Sequence, residues 1–282
     1  MEFWQPNASA GLTDPAFIPI VGRGYPRGCA ARGAIALMDN TVFWVGDNKV
    51  VYRAGDVPQR VSSNSIDDKL RQCADISTVT GWAATFEGHD LYVLNIPGVG
   101  TYVYDASRIG SGGAFQEIYE RGEWSEWTSF GRDTGFRGHV AVTQSDFTFV
   151  GDDATNDVWL MQTGAYTDGD DPISRVAGAF IKIEEGTPRC LNLVLNCVQG
   201  VGNARDPGLI PTAEMRYSDD MGRTFGKWRS APLGRMGQYT ARAFWQRLGT
   251  MRSPGRLIEI RVTDPVNAVY SHLELNAARP AG

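Results

Sequence analysis

The sequence predicts an all-β protein, a partial or open β-propeller followed by an antiparallel β-sandwich-like module. Three observations carry that expectation. The 282 residues hold 33 Gly and 14 Pro and are 42% hydrophobic, so apolar runs are short and turn signals frequent. Between residues 33 and 61 four short strand-like runs follow one another at the spacing of one propeller blade. Charge then changes sign along the chain. Residues 1–175 carry 13 Lys and Arg against 23 Asp and Glu, a net −10, and residues 176–282 carry 14 against 9, a net +5.

Taken in order, residues 1–28 read as irregular, because Pro6, Pro15, Pro19 and Pro26 interrupt two short apolar pairs. Gly22-Arg-Gly-Tyr-Pro-Arg-Gly28 has the wrong spacing for a phosphate loop, and no helix is predicted after it. The first blade is predicted from Ala34 to Leu37, Thr41 to Val45, Val50 to Arg53 and Gln59 to Val61, with turns at Asp39-Asn40 and Gly46-Asp47-Asn48. A short helix is predicted over Ile66 to Cys73. The second blade spans Trp82 to Phe86, Leu91 to Ile96, Thr101 to Tyr104 and Trp124 to Thr128, its last strand delayed by an insertion at Ser107–Gly122. A third blade begins at His139 to Thr143, Phe147 to Val150 and Val158 to Met161. Phe149-Val-Gly-Asp-Asp153 there echoes Phe43-Trp-Val-Gly-Asp47.

Asp168-Gly-Asp-Asp171 lacks the ligand pattern of a calcium loop and reads as a solvated linker. The boundary is placed there, giving modules 1–170 and 171–282. In the second module, Ala177 to Glu184 and Leu191 to Val198 alternate as strands, and the loop from Gly200 to Pro211 follows. Strands are further predicted over Gln238 to Gln246, Arg256 to Thr263 and Val269 to Leu275, for six to eight in an antiparallel sandwich-like arrangement.

Tyr217-Ser-Asp-Asp-Met-Gly-Arg-Thr-Phe225 fits S-x-D-x-G-x-T-[WF], the Asp-box turn. Ser218 and Asp220 are expected to bond back to nearby amides, Gly222 to supply a left-handed residue, and Thr224 and Phe225 to lead back into a strand. Sialidase-type glycosidases carry several such boxes. One box without an arginine cluster, a tyrosine nucleophile and acidic partners reads as a structural turn.

Catalytic signatures are otherwise missing from the sequence. His89, His139 and His272 are isolated, and H-E-x-x-H, G-x-S-x-G and C-x-x-C do not occur. Glu184-Glu185 and Asp219-Asp220 are neighbours, and neighbours on a strand face opposite ways. The tryptophans sit mainly in strand-like runs and read as core. Cys29, Cys73, Cys190 and Cys197 are expected to be reduced and mostly buried, with Cys190 and Cys197 on opposite faces if one regular strand carries both. No apolar run reaches 18 residues and no signal peptide is expected.

Two blocks carry a resemblance. The first runs from the Asp box through Gly237-Gln-Tyr-Thr-Ala-Arg242 and Phe244-Trp-Gln-Arg-Leu-Gly249 to Ile260-Arg-Val-Thr-Asp-Pro265. The second is Asp39-Asn-Thr-Val-Phe-Trp-Val-Gly-Asp47, Val51-Tyr-Arg53 and Pro58-Gln-Arg-Val-Ser-Ser63 with Ile66. Together they resemble the packaged-DNA stabilisation (tail accessory, or nozzle) proteins of short-tailed phages. The resemblance implies a non-enzymatic homo-oligomeric ring, six copies in that family, extending the DNA channel below the portal–adaptor. Packaged DNA would pass its lumen without sequence-specific binding and be held until ejection. It further implies tail needle, fibre or spike neighbours, a place in the virion tail after assembly in the host cytoplasm, and no cofactor, metal or catalytic residue. Three blades are too few for a closed ring of about four to eight, and the family's propeller has further blades before the matched segment. A propeller glycosidase and a non-catalytic glycan- or receptor-binding module are the alternative readings.

Overall fold

In a computed structural model, residues 2–9, 11, 13–107, 123–132, 134–145 and 147–278 are described. The chain divides into two compact units, Met1–Thr163 and Gly164–Gly282. Beyond Ser107, the insertion expected within 107–122 lies outside the described residues.

The first unit is a series of antiparallel sheets. β1 (Glu2–Pro6) pairs with β2 (Phe17–Gly24), where the sequence reading expected irregular chain. The prolines do not prevent this pairing because a two-stranded ribbon is all edge, and edges tolerate a missing donor. β3 (Ala36–Met38), β4 (Thr41–Val45), β5 (Val51–Arg53) and β6 (Gln59–Arg60) form the first four-stranded meander. Asp39 and Asn40 both take positive φ between β3 and β4, the geometry that a two-residue hairpin demands and that these residue types tolerate. Helix α1 runs from Asn64 to Gln72, two residues ahead of the expected start, because the Ser63 hydroxyl caps it by accepting from the Ile66 amide.

β7 (Thr80–Phe86), β8 (His89–Ile96), β9 (Gly100–Asp105) and β10 (Glu123–Trp127) form the second meander. β11 (Gly138–Gln144), β12 (Phe147–Asp152) and β13 (Val158–Met161) form a three-stranded sheet. β3 and β11 both neighbour β7, so the first strands of successive sheets lie side by side.

Burial explains the sequence pattern. In β8 every residue from Leu91 to Ile96 is buried, because both faces of its sheet are covered. Tyr92, Leu94, Tyr102 and Tyr104 pack towards the first meander with Phe43, Val45 and Leu70. Trp82, Leu91, Val93 and Val103 pack towards Val150 of the third sheet. Hydrogen bonds tie the same layers. The Tyr92 hydroxyl donates to Ala34 O at 2.7 Å, Trp124 Nε1 to Val61 O at 2.8 Å, and Trp82 Nε1 to Gly138 O at 3.2 Å.

The second unit opens with β14 (Thr167–Asp168) and β15 (Asp171–Pro172), a miniature hairpin turning at Gly169. The expected linker is therefore structured locally. One sheet then orders β16 (Arg175–Lys182), β21 (Gly255–Val262), β18 (Thr212–Ser218) and β19 (Arg229–Pro232). The other orders β20 (Ala243–Gln246), β17 (Arg189–Cys197) and β22 (Tyr270–Ala278). Leu193, Leu195, Met215, Trp245, Ile258 and Ile260 fill the space between them. β19 is the strand into which the Asp-box turn was expected to lead, and it starts at Arg229. The strand expected from Gln238 begins only at Ala243, since Gly237 turns at positive φ and Gln238 caps its own turn by accepting from Arg235 N.

All four cysteines are free thiols. Cys73 and Cys190 are buried and Cys197 half-buried, but Cys29 is exposed, against expectation. Cys190 and Cys197 both pack with the sandwich core. An irregularity in the β17–β22 pairing between Cys190 and Asn192 leaves Leu191 unpaired. That bulge resets the alternation, which the regular-strand reading did not allow for.

Candidate functional site

The Asp box joins β18 to β19. Ser218, the last residue of β18, is buried, and its Oγ accepts from the amides of Gly222 at 2.9 Å and Asp220 at 3.3 Å while donating to Asp220 Oδ1 at 2.6 Å. Asp220 in turn accepts from the Thr224 amide at 2.8 Å and the Thr224 hydroxyl at 2.6 Å. Hydrogen bonds from the Ser218 hydroxyl, then the Thr224 hydroxyl and amide, hold the Asp220 carboxyl well below the usual carboxylate range. Gly222 has φ +88°, and a Cβ there would come within 3.3 Å of Leu257 Cδ2. Phe225 is half-buried under the Arg216 guanidinium, 4.2 Å from its ring centroid. The five box residues thus satisfy one another and leave no carboxylate directed at a ligand.

Beneath the turn lies a residue that sequence reading missed. Arg256, 1% exposed, donates to both carboxylate oxygens of Asp219 at 2.6 and 2.9 Å. It also donates to Leu248 O at 2.5 Å and Thr250 O at 3.3 Å, and its guanidinium sits 3.9 Å from the Tyr217 ring centroid. One buried cation therefore joins the Asp-box loop, β21 and the 248–250 segment. The only sequence signal was Asp219, an acidic residue inside the box that the motif itself does not require. On the same sheet, Arg216 pairs with Glu259 at 2.6 Å and Arg261 with Glu214 at 2.6 Å. Both guanidinium groups lie over Trp228, 4.5 and 4.1 Å from its centroid. Each charge faces its opposite across the ladder, so the basic balance of this unit does not create a free cationic groove here.

Acid–base candidates elsewhere resolve in the same way. His89 Nδ1 lies 2.8 Å from Asp105 Oδ2 and 3.1 Å from Ser107 Oγ, beside a cleft of about 330 Å³ lined by Phe86, Leu91, Val103 and Trp127. A Ser–His–Asp triad needs hydroxyl and carboxylate on opposite ring nitrogens; here both lie on Nδ1. Burial pushes the Asp105 carboxyl up, but bonds from Ser107 and His89 outweigh it and leave it below its ordinary value. A second cleft, about 240 Å³, is bordered by Arg132, His139 and Asp153. Arg132 bridges Asp153 at 2.6 Å and Asp152 at 3.1 Å, and His139 lies 3.2 Å from Asp153. His272 contacts Asn196 and Glu274 at 3.2 and 3.3 Å. The adjacent acidic pairs do not converge: Asp219 turns to Arg256, Asp220 into the loop, and Glu184 to Lys182 at 2.8 Å. Among the described residues no group of three or more His, Cys, Asp or Glu could hold a metal ion. No helix among them is long and apolar enough to cross a membrane.

Comparison with known proteins adds the following. Residues 2–165 match the family described as bacteriophage P22 Gp10, β-propeller, and residues 175–278 match bacteriophage P22 Gp10, β-sandwich. No curated protein matches the chain. Among solved structures, an exo-β-1,3-galactanase from Phanerochaete chrysosporium with galactose aligns at 8% identity and TM-score 0.23, over 84% of this chain and 65% of that one. A variant of the same enzyme with β-1,3-galactotriose aligns at 6% identity and TM-score 0.22 over the same shares. The chain thus spans just under two thirds of these structures, and at such scores the likeness carries no argument.

Proposed function

Because this chain belongs to the bacteriophage P22 Gp10 family of tail accessory, DNA-stabilisation proteins of short-tailed phages, it is a structural phage tail protein, and we propose that it acts as the tail nozzle. In this reading copies of the chain form a ring, six in number, below the portal and adaptor proteins. The ring extends the DNA channel and retains packaged DNA until ejection. The observation that carries the proposal is the consecutive match of propeller and sandwich, in that order, over residues 2–165 and 175–278.

Two physical features support a mechanical rather than catalytic role. The titratable side chains described above are paired with one another at hydrogen-bond distance, which rigidifies loops and leaves no poised acid–base pair. The net −10 of residues 1–175 suits a wall past which DNA must slide, since an acidic surface repels phosphates. Tail needle, fibre or spike proteins are the proposed neighbours at the distal end. Electron microscopy of the intact particle tests the assignment: the chain is expected in the axial tail tube, and finding it only in peripheral fibres, or absent from the virion, overturns it.

A further inference from the structure

Four strands stand at the edges of the second unit's two sheets, β16 and β19 in one and β20 and β22 in the other. A strand edge presents unpaired backbone donors and acceptors, which proteins ordinarily blunt by shortness, proline, charge or bulges. Three of the four are blunted in these ways. β19 is four residues long and ends in Pro232, and β20 is also four residues long. β22 carries His272 and Glu274, and its pairing with β17 is irregular at two places. β16 is the exception. Its eight residues pair with β21 from Arg175↔Val262 to Lys182↔Gly255 without a break, and Val176-Ala-Gly-Ala-Phe-Ile181 holds neither proline nor charge.

In an antiparallel pair alternate residues turn their N–H and C=O towards the neighbour, so on an edge strand the remaining residues point theirs outward. Val176, Gly178 and Phe180 share the outer face, opposite Arg261, Glu259 and Leu257 of β21. Val176 and Phe180 are 55% and 45% exposed. Within 4 Å a Cβ on Gly178 would meet only Ile258 O, at 3.9 Å, so the face is open between the two apolar side chains. Ala177, opposite buried Ile260, is exposed as well, so neither face closes over this edge. Acidic residues stand at both ends. Asp168, Asp170 and Asp171 belong to the β14–β15 hairpin just before β16, and Glu184 and Glu185 follow it. Against them stand Lys182, paired with Glu184 at 2.8 Å, and Arg175, whose guanidinium turns to the Val266 and Asp264 carbonyls.

We propose that β16 is a docking edge for an extended segment of another protein, which adds to the sheet as a strand beside it. Main-chain bonds to the outward groups of β16 supply the affinity, and side chains at alternate positions supply the selectivity. An apolar residue of the incoming strand sits over Gly178, between Val176 and Phe180. Lys or Arg at the two ends of that strand meets the acidic flanks. The same charge pattern argues against a second copy as the occupant. Two β16 strands paired in either direction bring the 168–171 hairpin or Glu184 and Glu185 of one copy against acidic residues of the other, and like charges set opposite each other destabilise a pairing. The proposal stands apart from the tail reading, since it uses only the second unit's own sheet.

The test is strand addition to the full chain in solution. The probe is a fluorescein-labelled, amidated peptide of sequence Lys-Thr-Val-Thr-Val-Thr-Val-Lys. Saturable binding by fluorescence anisotropy is expected, with amide exchange slowed in the segment that holds β16. The same peptide with its six central amides methylated, which removes its backbone donors, and a version with Glu at both ends are each expected to bind at least tenfold more weakly. Ala177→Lys places a charge on the exposed edge and is expected to weaken the parent peptide at least tenfold without lowering the thermal midpoint. Phe244→Lys, on the exposed side of edge strand β20, is expected to leave binding unchanged. No saturable binding up to about 1 mM peptide, equal binding of the methylated peptide, or protection away from β16 overturns the proposal. Dimerisation of the chain that Ala177→Lys abolishes also overturns it, by giving the edge to a second copy. The tail assignment is untouched by any of these results, because it is read from the particle.

Discussion

Arg256 is the residue on which the second unit's turn depends. A buried guanidinium is tolerable only when its donors are met, and here one carboxylate and two carbonyls meet them. Removing it strands the buried Leu248 carbonyl, the part-buried Thr250 carbonyl and half-exposed Asp219 together. Arg256→Ala is therefore expected to lower unfolding free energy by about 2–4 kcal/mol, discounted from a fully buried pair because Asp219 keeps access to water. Chemical denaturation measures this, and a wild-type midpoint would remove Arg256 from the account. Asp220 makes a different prediction. Its folded pKa lies below the unfolded carboxylate value of about 3.9. The stability it contributes is fully present above that value and is lost as pH falls through the folded pKa. The thermal midpoint is thus expected to drop below about pH 4, and Asp220→Asn to be the less stable protein at pH 7 while converging on wild type in acid. Equal stabilities at neutral pH would contradict the local hydrogen bonds.

At the scale of elements, a single unpaired residue decides which side chains β17 buries. With Leu191 bulged outward, Cys190 and Cys197 both reach the core, and burial pushes both thiols above their ordinary pKa. Cys73 is also buried. Only the thiolate reacts, and access limits it further, so folded protein is expected to show one fast thiol among its four, at Cys29. Maleimide labelling followed by peptide mapping reads this directly; fast modification of Cys190 would mean that the bulge is misassigned. The meanders illustrate the same dependence on context. β4 buries Phe43, Trp44 and Val45 in succession, and a strand covered on both faces loses the alternation by which single strands are recognised.

For the whole molecule, the proposed organisation is two modules meeting close to residues 164–171. The compact units divide after Thr163, and the two family matches leave residues 166–174 between them. Limited proteolysis is expected to cut first in this stretch, because a two-residue hairpin protects few amides. The Gly200–Pro211 loop is tied by Asn203 to Pro207 O, Pro265 O and Gly208 O, so it is expected to resist longer. First cuts within Trp82–Tyr104 would contradict this organisation. Ring contacts between the acidic and basic halves would weaken as exposed charges are screened beyond about 10 Å at 0.1 M, and the ionic-strength dependence of association measures this.

Local chemistry was legible without coordinates. Turn residues with tolerated positive φ, the Ser-x-Asp-x-Gly box and short β-branched runs specify conformation within a few residues of themselves, so the meanders, the sandwich strands and the resemblance to phage tail proteins could be read from the chain. Where the signal depended on a partner far along the sequence, it could not. The β1–β2 pairing joins residues across the 7–16 connection, the Asp219–Arg256 pair spans 37 positions, and the Leu191 bulge is defined only against β22. Sequence set the alternation of apolar residues in β11–β13 and β2; only the packing of neighbouring sheets decided which of the two faces is covered and which is bare, because burial belongs to the space between elements and not to either element alone.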